Sequence, residues 1–247
     1  MTSLERADVL RHIDAAAPSS PMVLSLGGIS REMLAVAGRK GNQFISLDAM
    51  GQTISVALGL ALGLGRRGPK DGSADKVIAI EGDGSLLMGL SVLSTVGHLK
   101  PAGLVVYVLD NGVYLATGGQ PTASADIDLV AVAKGCNWSG ARDVRTAGEL
   151  AAATEWALTA EGPNLIRVHI GTAQLPAEYF LEDPAILAED FRRWLRSRET
   201  TTAEPSGSAD AVVSVPPPAK IPVRGVSNSK RKRILWLCIA LSPHQRR

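Results

Sequence analysis

The segment VIAIEGDGSLLMGLSVLSTVGHLKPAGLVVYVLDNGVYLATGGQPT, residues 77–122, decides the fold. Its first apolar run, 77–80, ends in Glu81-Gly82-Asp83-Gly84-Ser85. Its second, 104–109, ends in Asp110-Asn111-Gly112. An apolar stretch of helix length lies between them. Two parallel neighbouring strands need a crossover of that kind, usually a helix. The segment therefore reads as strand–helix–strand, with polar residues at the carboxyl end of each strand. Open parallel sheets bind their ligands at that edge.

In this arrangement Asp83 and Asn111 face each other across adjacent strand ends. Gly82 and Gly84 let the backbone turn sharply and come close to a ligand. Ser85 falls where the helix begins, and backbone N–H groups and the helix dipole favour an anion there. A carboxylate, a carboxamide and a backbone carbonyl are hard oxygen donors of the kind Mg²⁺ takes, with phosphate oxygens and water completing its shell. Taken singly, Asp-Gly and Asn-Gly are ordinary turn dipeptides. Their pairing across a helix-length crossover points to a metal–diphosphate site.

Gly82-Asp83-Gly84, followed after 26 residues by Asn111, resembles the diphosphate-binding motif of thiamine diphosphate (ThDP) enzymes. The resemblance implies that Asp83, Asn111 and the carbonyl of Val113 ligate Mg²⁺, and that Gly82, Gly84 and Ser85 hold the diphosphate. Position 110 is usually Asn in that family and is Asp here, which adds negative charge near the metal. Asp48-Ala49-Met50-Gly51 lies between the apolar run 44–47 and a long apolar helix. It is similar to the family segment in which a bulky side chain props the cofactor into a bent shape. That likeness makes Met50 the wedge and the Asp48 carbonyl an acceptor for the aminopyrimidine. By itself Met50 reads as core filler.

The wording Leu109-Asp110-Asn111-Gly112-Val113-Tyr114, then Thr117-Gly118-Gly119-Gln120-Pro121-Thr122, resembles the sulfopyruvate decarboxylase β subunit and its relative phosphonopyruvate decarboxylase. ThDP enzymes use a second domain that holds the pyrimidine and supplies a catalytic Glu. About 190 residues accommodate one such domain and not both. The resemblance thus implies a separate pyrimidine-binding, alpha-type partner subunit in a hetero-oligomer. It also implies a lyase acting on a small anionic 2-oxoacid, 3-sulfopyruvate giving sulfoacetaldehyde and CO2. Phosphonopyruvate, or carboligation of the acetolactate synthase kind, are the alternatives. Gln120 and Thr117 are candidates to reach the substrate, and no other catalytic residue is assigned to this chain. Leu115-Ala116 departs from the smaller or more polar residues of the relatives. Arg31, Arg39 and Lys40 are candidate cations for a dianionic substrate, though each alone reads as surface charge. His98 sits at a helix C-terminus, where the dipole favours it.

Strand-like runs at 23–26, 44–47 and 165–169 alternate with helical patterns at 4–17, 31–37, 52–64, 129–134 and 147–160. Ser30 is the expected N-cap of the second helix. The alternation predicts a doubly wound, mostly parallel sheet with helices on both faces. Only 4% of the 247 residues are aromatic, so the core must rest on Ala, Val, Leu and Ile. Helix 52–64 is apolar all round, hence buried, and is too short for a membrane span. Two cysteines distant in sequence, and an N-terminus without a signal-peptide apolar core, fit a reduced cytoplasmic setting. Residues 192–247 hold 12 Lys/Arg against 3 Asp/Glu, and residues 1–191 hold 14 against 21. An acidic body argues against nucleic-acid binding. The expected domains are 1–198 for the folded unit and 199–247 for a disordered Pro/Ser-rich linker with a basic tail.

Overall fold

Strand side chains alternate between two faces, and in this chain helices cover both. The computed structural model describes residues 3–47, 49–65, 76–178 and 182–200. Asp48, the polar loop 66–75 and the tail from 201, with its basic run and Cys238, lie outside the described residues. In chain order the strands are β1 (Met22–Leu24), β2 (Gln43–Ile45), β3 (Val77–Gly82), β4 (Leu104–Asp110), β5 (Val113–Tyr114), β6 (Gln120–Pro121), β7 (Gly140–Val144) and β8 (Asn164–His169). Six of them form one sheet in the order β2-β1-β3-β4-β8-β7, every pairing parallel. β5 and β6 form a separate antiparallel hairpin.

The helices are α1 (Arg6–Ala16), α2 (Gly28–Ala37), α3 (Thr53–Gly65), α4 (Asp83–Met88), α5 (Val92–Leu99), α6 (Leu129–Gly135), α7 (Ala147–Thr159) and α8 (Pro184–Thr200). Ile78 and Ile80 of β3 pack in one core with Val9 of α1, Met33 of α2, Leu150 of α7 and Leu187 of α8. Val77 and Ala79 of the same strand pack in the other with Ile54 of α3, Leu86 of α4, Leu93 of α5 and Ala133 of α6. The doubly wound expectation holds. β1 sends α2 to the first face and β3 sends α4 to the second. The sheet therefore has its switch point between β1 and β3, the place where open parallel sheets bind ligands beyond the carboxyl ends of their strands.

Several expectations change in detail. Ser30 is not the N-cap of α2. The positive φ of Gly27 (78°) turns the chain directly into a helix that starts at Gly28, so Ser30 lies inside the first turn and donates its hydroxyl to the Ser25 carbonyl. Arg6 and Glu32 form a buried ion pair at 3.0 Å and tie α1 to α2. β7 and α8 carry no strong signal in the sequence. β7 is an edge strand reading GARDV, and α8 continues to Thr200, past the boundary expected at 198. Gln120-Pro121, expected as loop, forms β6 of the small hairpin.

The crossover after β3 is two short helices, not one. α4 ends at Met88, and the chain turns through Gly89 because the backbone of Gly51 lies against it. A Cβ on Gly89 would sit 2.2 Å from the Gly51 carbonyl oxygen. The same contact fixes the turn that precedes α3. Overpacking of this kind costs about 1–3 kcal/mol, and a chain of this size loses about 2–4 °C per kcal/mol. Gly89→Ala is therefore expected to lower the melting temperature by about 2–12 °C in a circular dichroism melt. An unchanged melt would show that the two backbones separate freely.

Candidate functional site

Asp83 follows β3 directly and opens α4, and Asp110 closes β4. Gly82 pairs with Leu109 in register, so the two acids extend side by side from adjacent strands at the switch-point edge. Both are buried, with 2% and 5% of their surface exposed. Asp83 Oδ2 accepts the Thr122 hydroxyl at 2.6 Å. Burial pushes the Asp83 carboxyl above its ordinary range, and the neighbouring Asp110 charge pushes it further, against the Thr122 hydrogen bond. Such a carboxylate gains from a cation at its side.

Asn111 follows Asp110, and its Oδ1 accepts the Val113 N–H at 3.1 Å, which folds residues 111–113 into an Asx turn. The turn leads into the β5–β6 hairpin, where Thr122 N–H bonds to the Gly112 carbonyl at 2.8 Å and carries Thr122 back to Asp83. Gly84 accepts no side chain. A Cβ there would lie 2.2 Å from the Tyr114 ring, whose hydroxyl reaches the Gly84 carbonyl at 3.4 Å. Gly82, Asp83, Gly84, Ser85, Asn111 and Val113 thus gather around one edge of the sheet. Carboxylate, carboxamide and carbonyl oxygens on adjacent strand ends, with a glycine turn between them, fit Mg²⁺ and a diphosphate.

The Ser85 hydroxyl has a structural use. It accepts the Gly51 N–H at 2.9 Å and the Ser25 hydroxyl at 3.5 Å, binding the Met50-Gly51 turn to the β3 edge. Met50 is half-buried in that turn. Below it lies Glu81, fully buried, among the hydroxyls of Ser85, Ser25 and Thr53. Its Oε1 accepts the Gly82 N–H at 3.3 Å. Its Oε2 is buried with no partner at hydrogen-bonding distance among the described residues. Burial pushes the Glu81 carboxyl up, against these hydrogen bonds.

Thr117 and Gln120 meet at the exposed hairpin, where they bond to each other. Thr117 Oγ1 donates to Gln120 Oε1 at 2.8 Å, and Gln120 Nε2 donates to the Thr117 carbonyl at 2.8 Å. Two of the expected substrate cations lie away from this edge. Arg39 pairs with Glu182 and Asp190, and Lys40 with Asp14 at 2.6 Å, both just before the amino end of β2 and so at the opposite edge of the sheet. Arg31 donates to the Ala177 carbonyl at 2.7 Å. His98 lies exposed in the last turn of α5, where the helix dipole favours a cation.

Residues 33–168 match the family described as thiamine pyrophosphate enzyme, C-terminal TPP binding domain, thiamine pyrophosphate being ThDP. The chain belongs to this family. Among curated proteins it is 34% identical over 207 residues to the phosphonopyruvate decarboxylase of Streptomyces viridochromogenes, covering 84% of this chain and 49% of that one. It is 34% identical over 175 residues to the sulfopyruvate decarboxylase subunit beta of Methanothermobacter thermautotrophicus, covering 70% and 86%. The chain thus spans about half the length of the Streptomyces relative. The benzoylformate decarboxylase of Polynucleobacter necessarius shares the fold, with a TM-score of 0.58 at 22% identity over 69% of this chain and 34% of that one. No helix among the described residues is long and apolar enough to cross a membrane.

Three site residues escape a reading by motif: Thr122, Ser124 and Arg167. Arg167 had a visible signal, a charge within the apolar run Leu165-Ile166-Arg167-Val168 of a central strand. Glu81 had one as well, since it closes an apolar strand just inside the glycine turn. The raised Glu81 value means that the folded chain binds more protons than the unfolded chain. Its contribution to stability is full below the ordinary carboxylate range and is lost as pH rises through the folded value. Glu81→Gln removes that loss. It is expected to melt higher than the parent at neutral and alkaline pH, by about 2–4 °C for each kcal/mol, and to converge with it near about pH 4. Melting curves that stay parallel from acid to neutral pH would refute this account of Glu81.

Proposed function

We propose that this chain is the ThDP- and Mg²⁺-binding subunit of a 2-oxoacid decarboxylase that converts 3-sulfopyruvate to sulfoacetaldehyde and CO2. The observation that carries the reading is the match to the Methanothermobacter β subunit, which extends over 86% of that protein. A pyrimidine-binding, alpha-type subunit completes the site and brings the catalytic Glu, so the working enzyme is a hetero-oligomer in a reduced cytoplasmic setting. Phosphonopyruvate is the competing substrate, favoured by the Streptomyces match over 84% of this chain. Both substrates are three-carbon 2-oxoacids with a second anionic group, so the same anchoring chemistry serves either.

Bound ThDP supplies the electron sink that accepts the electron pair left when CO2 departs. The part of this chain is anchoring. Asp83, Asn111 and the Val113 carbonyl hold Mg²⁺. Gly82 and Gly84 let the backbone approach the diphosphate, and Ser85 braces the Met50 turn from below. Met50 sets the shape of the bound cofactor. Tyr114 covers the Gly84 turn and excludes water from it. Thr117 and Gln120 face outward at the hairpin, where a substrate carboxylate or sulfonate finds a hydroxyl and an amide N–H once their mutual bonds open.

The reading is tested by aldehyde formation from sulfopyruvate and phosphonopyruvate with ThDP and Mg²⁺, using the chain alone and with an alpha-type subunit. Turnover of sulfopyruvate is expected only with the partner. Turnover by the chain alone, or of phosphonopyruvate only, would overturn the subunit or the substrate assignment respectively. Asp83→Ala is expected to abolish Mg²⁺-dependent ThDP binding in calorimetry, because a lost carboxylate ligand leaves one amide and one carbonyl for a hard dication. Unchanged binding would remove Asp83 from the metal site.

A further inference from the structure

The acid at position 110 does not stand unpaired beside the metal end of the site. Its Oδ2 receives Arg167 Nε at 2.7 Å and Arg167 Nη2 at 2.6 Å, a buried contact with 11% of the arginine side chain and 4% of the aspartate side chain exposed. Arg167 Nη2 also donates to the Ser124 carbonyl at 2.9 Å, and Nη1 to the Ile127 carbonyl at 3.4 Å. Asp110 Oδ1 accepts the Ser124 hydroxyl at 2.9 Å and the Gly112 N–H at 3.0 Å. Ser124 N–H donates to Thr122 Oγ1 at 3.4 Å, and Thr122 Oγ1 donates to Asp83. Ser124 Oγ, whose one proton goes to Asp110, lies against Thr122 Oγ1 at 2.9 Å. One unbroken hydrogen-bonded chain therefore runs from β8 across β4 to β3, as Arg167–Asp110–Ser124–Thr122–Asp83.

The register explains how the chain closes. Arg167 lies opposite Val108, so its side chain emerges on the same face as that of Asp110, two residues on, and reaches it along the strand. A planar guanidinium with several N–H donors can grip one carboxylate and two carbonyls at once, which an ammonium cannot. Asp143 stands 3.9 Å from Arg167 Nε and bonds to His169, so a second acid borders the arginine at its outer side.

We propose that Arg167 and Asp110 act as one charge-balanced positioning pair that, through Ser124 and Thr122, orients Asp83 and sets the affinity of the site for its divalent cation. The inference rests on the reading above that Asp83 is a Mg²⁺ ligand. Groups that hold metal ligands from behind typically change metal affinity 10–100-fold when removed. Thr122→Val cuts the last link to Asp83, keeps the side-chain shape and changes no charge. It is expected to raise the Mg²⁺ concentration for half-maximal ThDP binding about 10-fold. Asp110→Asn strands the arginine charge beside the cation and is expected to weaken Mg²⁺ by a similar factor. Adding Arg167→Met to Asp110→Asn removes that stranded charge and is expected to recover most of the loss. In the parent background Arg167→Met is expected to weaken binding.

The experiment is calorimetric titration of ThDP at a series of Mg²⁺ concentrations, on the full chain assembled with its alpha-type partner, with a thermal melt of each variant. An arginine that only pins the 122–127 loop would make Arg167→Met cost the same factor in both backgrounds, and that outcome overturns the proposal. So does a Thr122→Val variant with the Mg²⁺ requirement of the parent, a result that does not depend on whether the charge variants fold. Asp83→Ala is run alongside. If it leaves the Mg²⁺ requirement intact, the metal-site reading itself fails. If it abolishes Mg²⁺-dependent ThDP binding while the network variants keep the Mg²⁺ requirement of the parent, only the positioning role fails.

Discussion

Two carboxylates held away from water at the ends of neighbouring strands are the constraint on which the rest of this structure depends. Like charges that close disfavour ionisation of both, and burial of an unpaired charge is costly. The fold answers one of them internally. Asp110 receives a guanidinium, a hydroxyl and a backbone N–H. Asp83 receives neutral donors, the Thr122 hydroxyl at 2.6 Å foremost, and burial leaves its carboxyl raised. The asymmetry separates an acid neutralised within the scaffold from the acid proposed to hold the cation, although the two are adjacent in register.

The parallel sheet makes that adjacency possible. Every strand in it runs the same way, so every carboxyl end arrives at one edge and every return passes through a helix. Helices leaving β1 and β3 to opposite faces place the switch point between them. Small residues then bring backbone against backbone. Gly89 lies on Gly51 and Gly84 lies under Tyr114, so the turn at Met50 and the turn at Asp83 are fixed by the same helix. The Ser85 hydroxyl joins the two turns through Gly51 N–H. A change at either turn is thereby transmitted to the other.

The central strands and the two glycine turns were legible in the sequence because apolar runs ending in Asp-Gly and Asn-Gly are local signals. β7 was not, since Arg142 and Asp143 sit mid-strand at a sheet edge where one side faces solvent, and no alternation survives in five residues. α8 was obscured by a charged surface and a lead-in without pattern. The break between α4 and α5 was hidden because its cause, the Gly51 backbone, lies more than thirty residues upstream. Ser30 was misread for a related reason. A serine before a helical pattern is a good cap signal, but Gly27 turns the chain earlier and Ser30 serves the Ser25 carbonyl instead. For Asp83, Asn111 and Val113 the strand register was enough to bring them to one edge. Arg39 and Lys40 failed as site cations because they precede their strand, and residues before a parallel strand lie at the far edge.

The deeper limit of a linear reading shows at position 110. Asp and Asn there have nearly the same shape, so a comparison of one motif with another records only an added negative charge close to the proposed metal site. The charge is answered by Arg167, fifty-seven residues later, on a strand that adjoins β4 only after the chain has passed through β7 at the sheet edge. Neither residue is intelligible alone. An arginine in the apolar run of a central strand looks like an error of patterning, and an aspartate beside a metal ligand looks like an excess of charge. Together they are neutral and joined to Asp83 through Ser124 and Thr122. In a doubly wound sheet the residue that balances a site charge is to be sought on the strand that neighbours it in space. The misplaced polar residue in that strand's apolar run is the trace it leaves in the sequence.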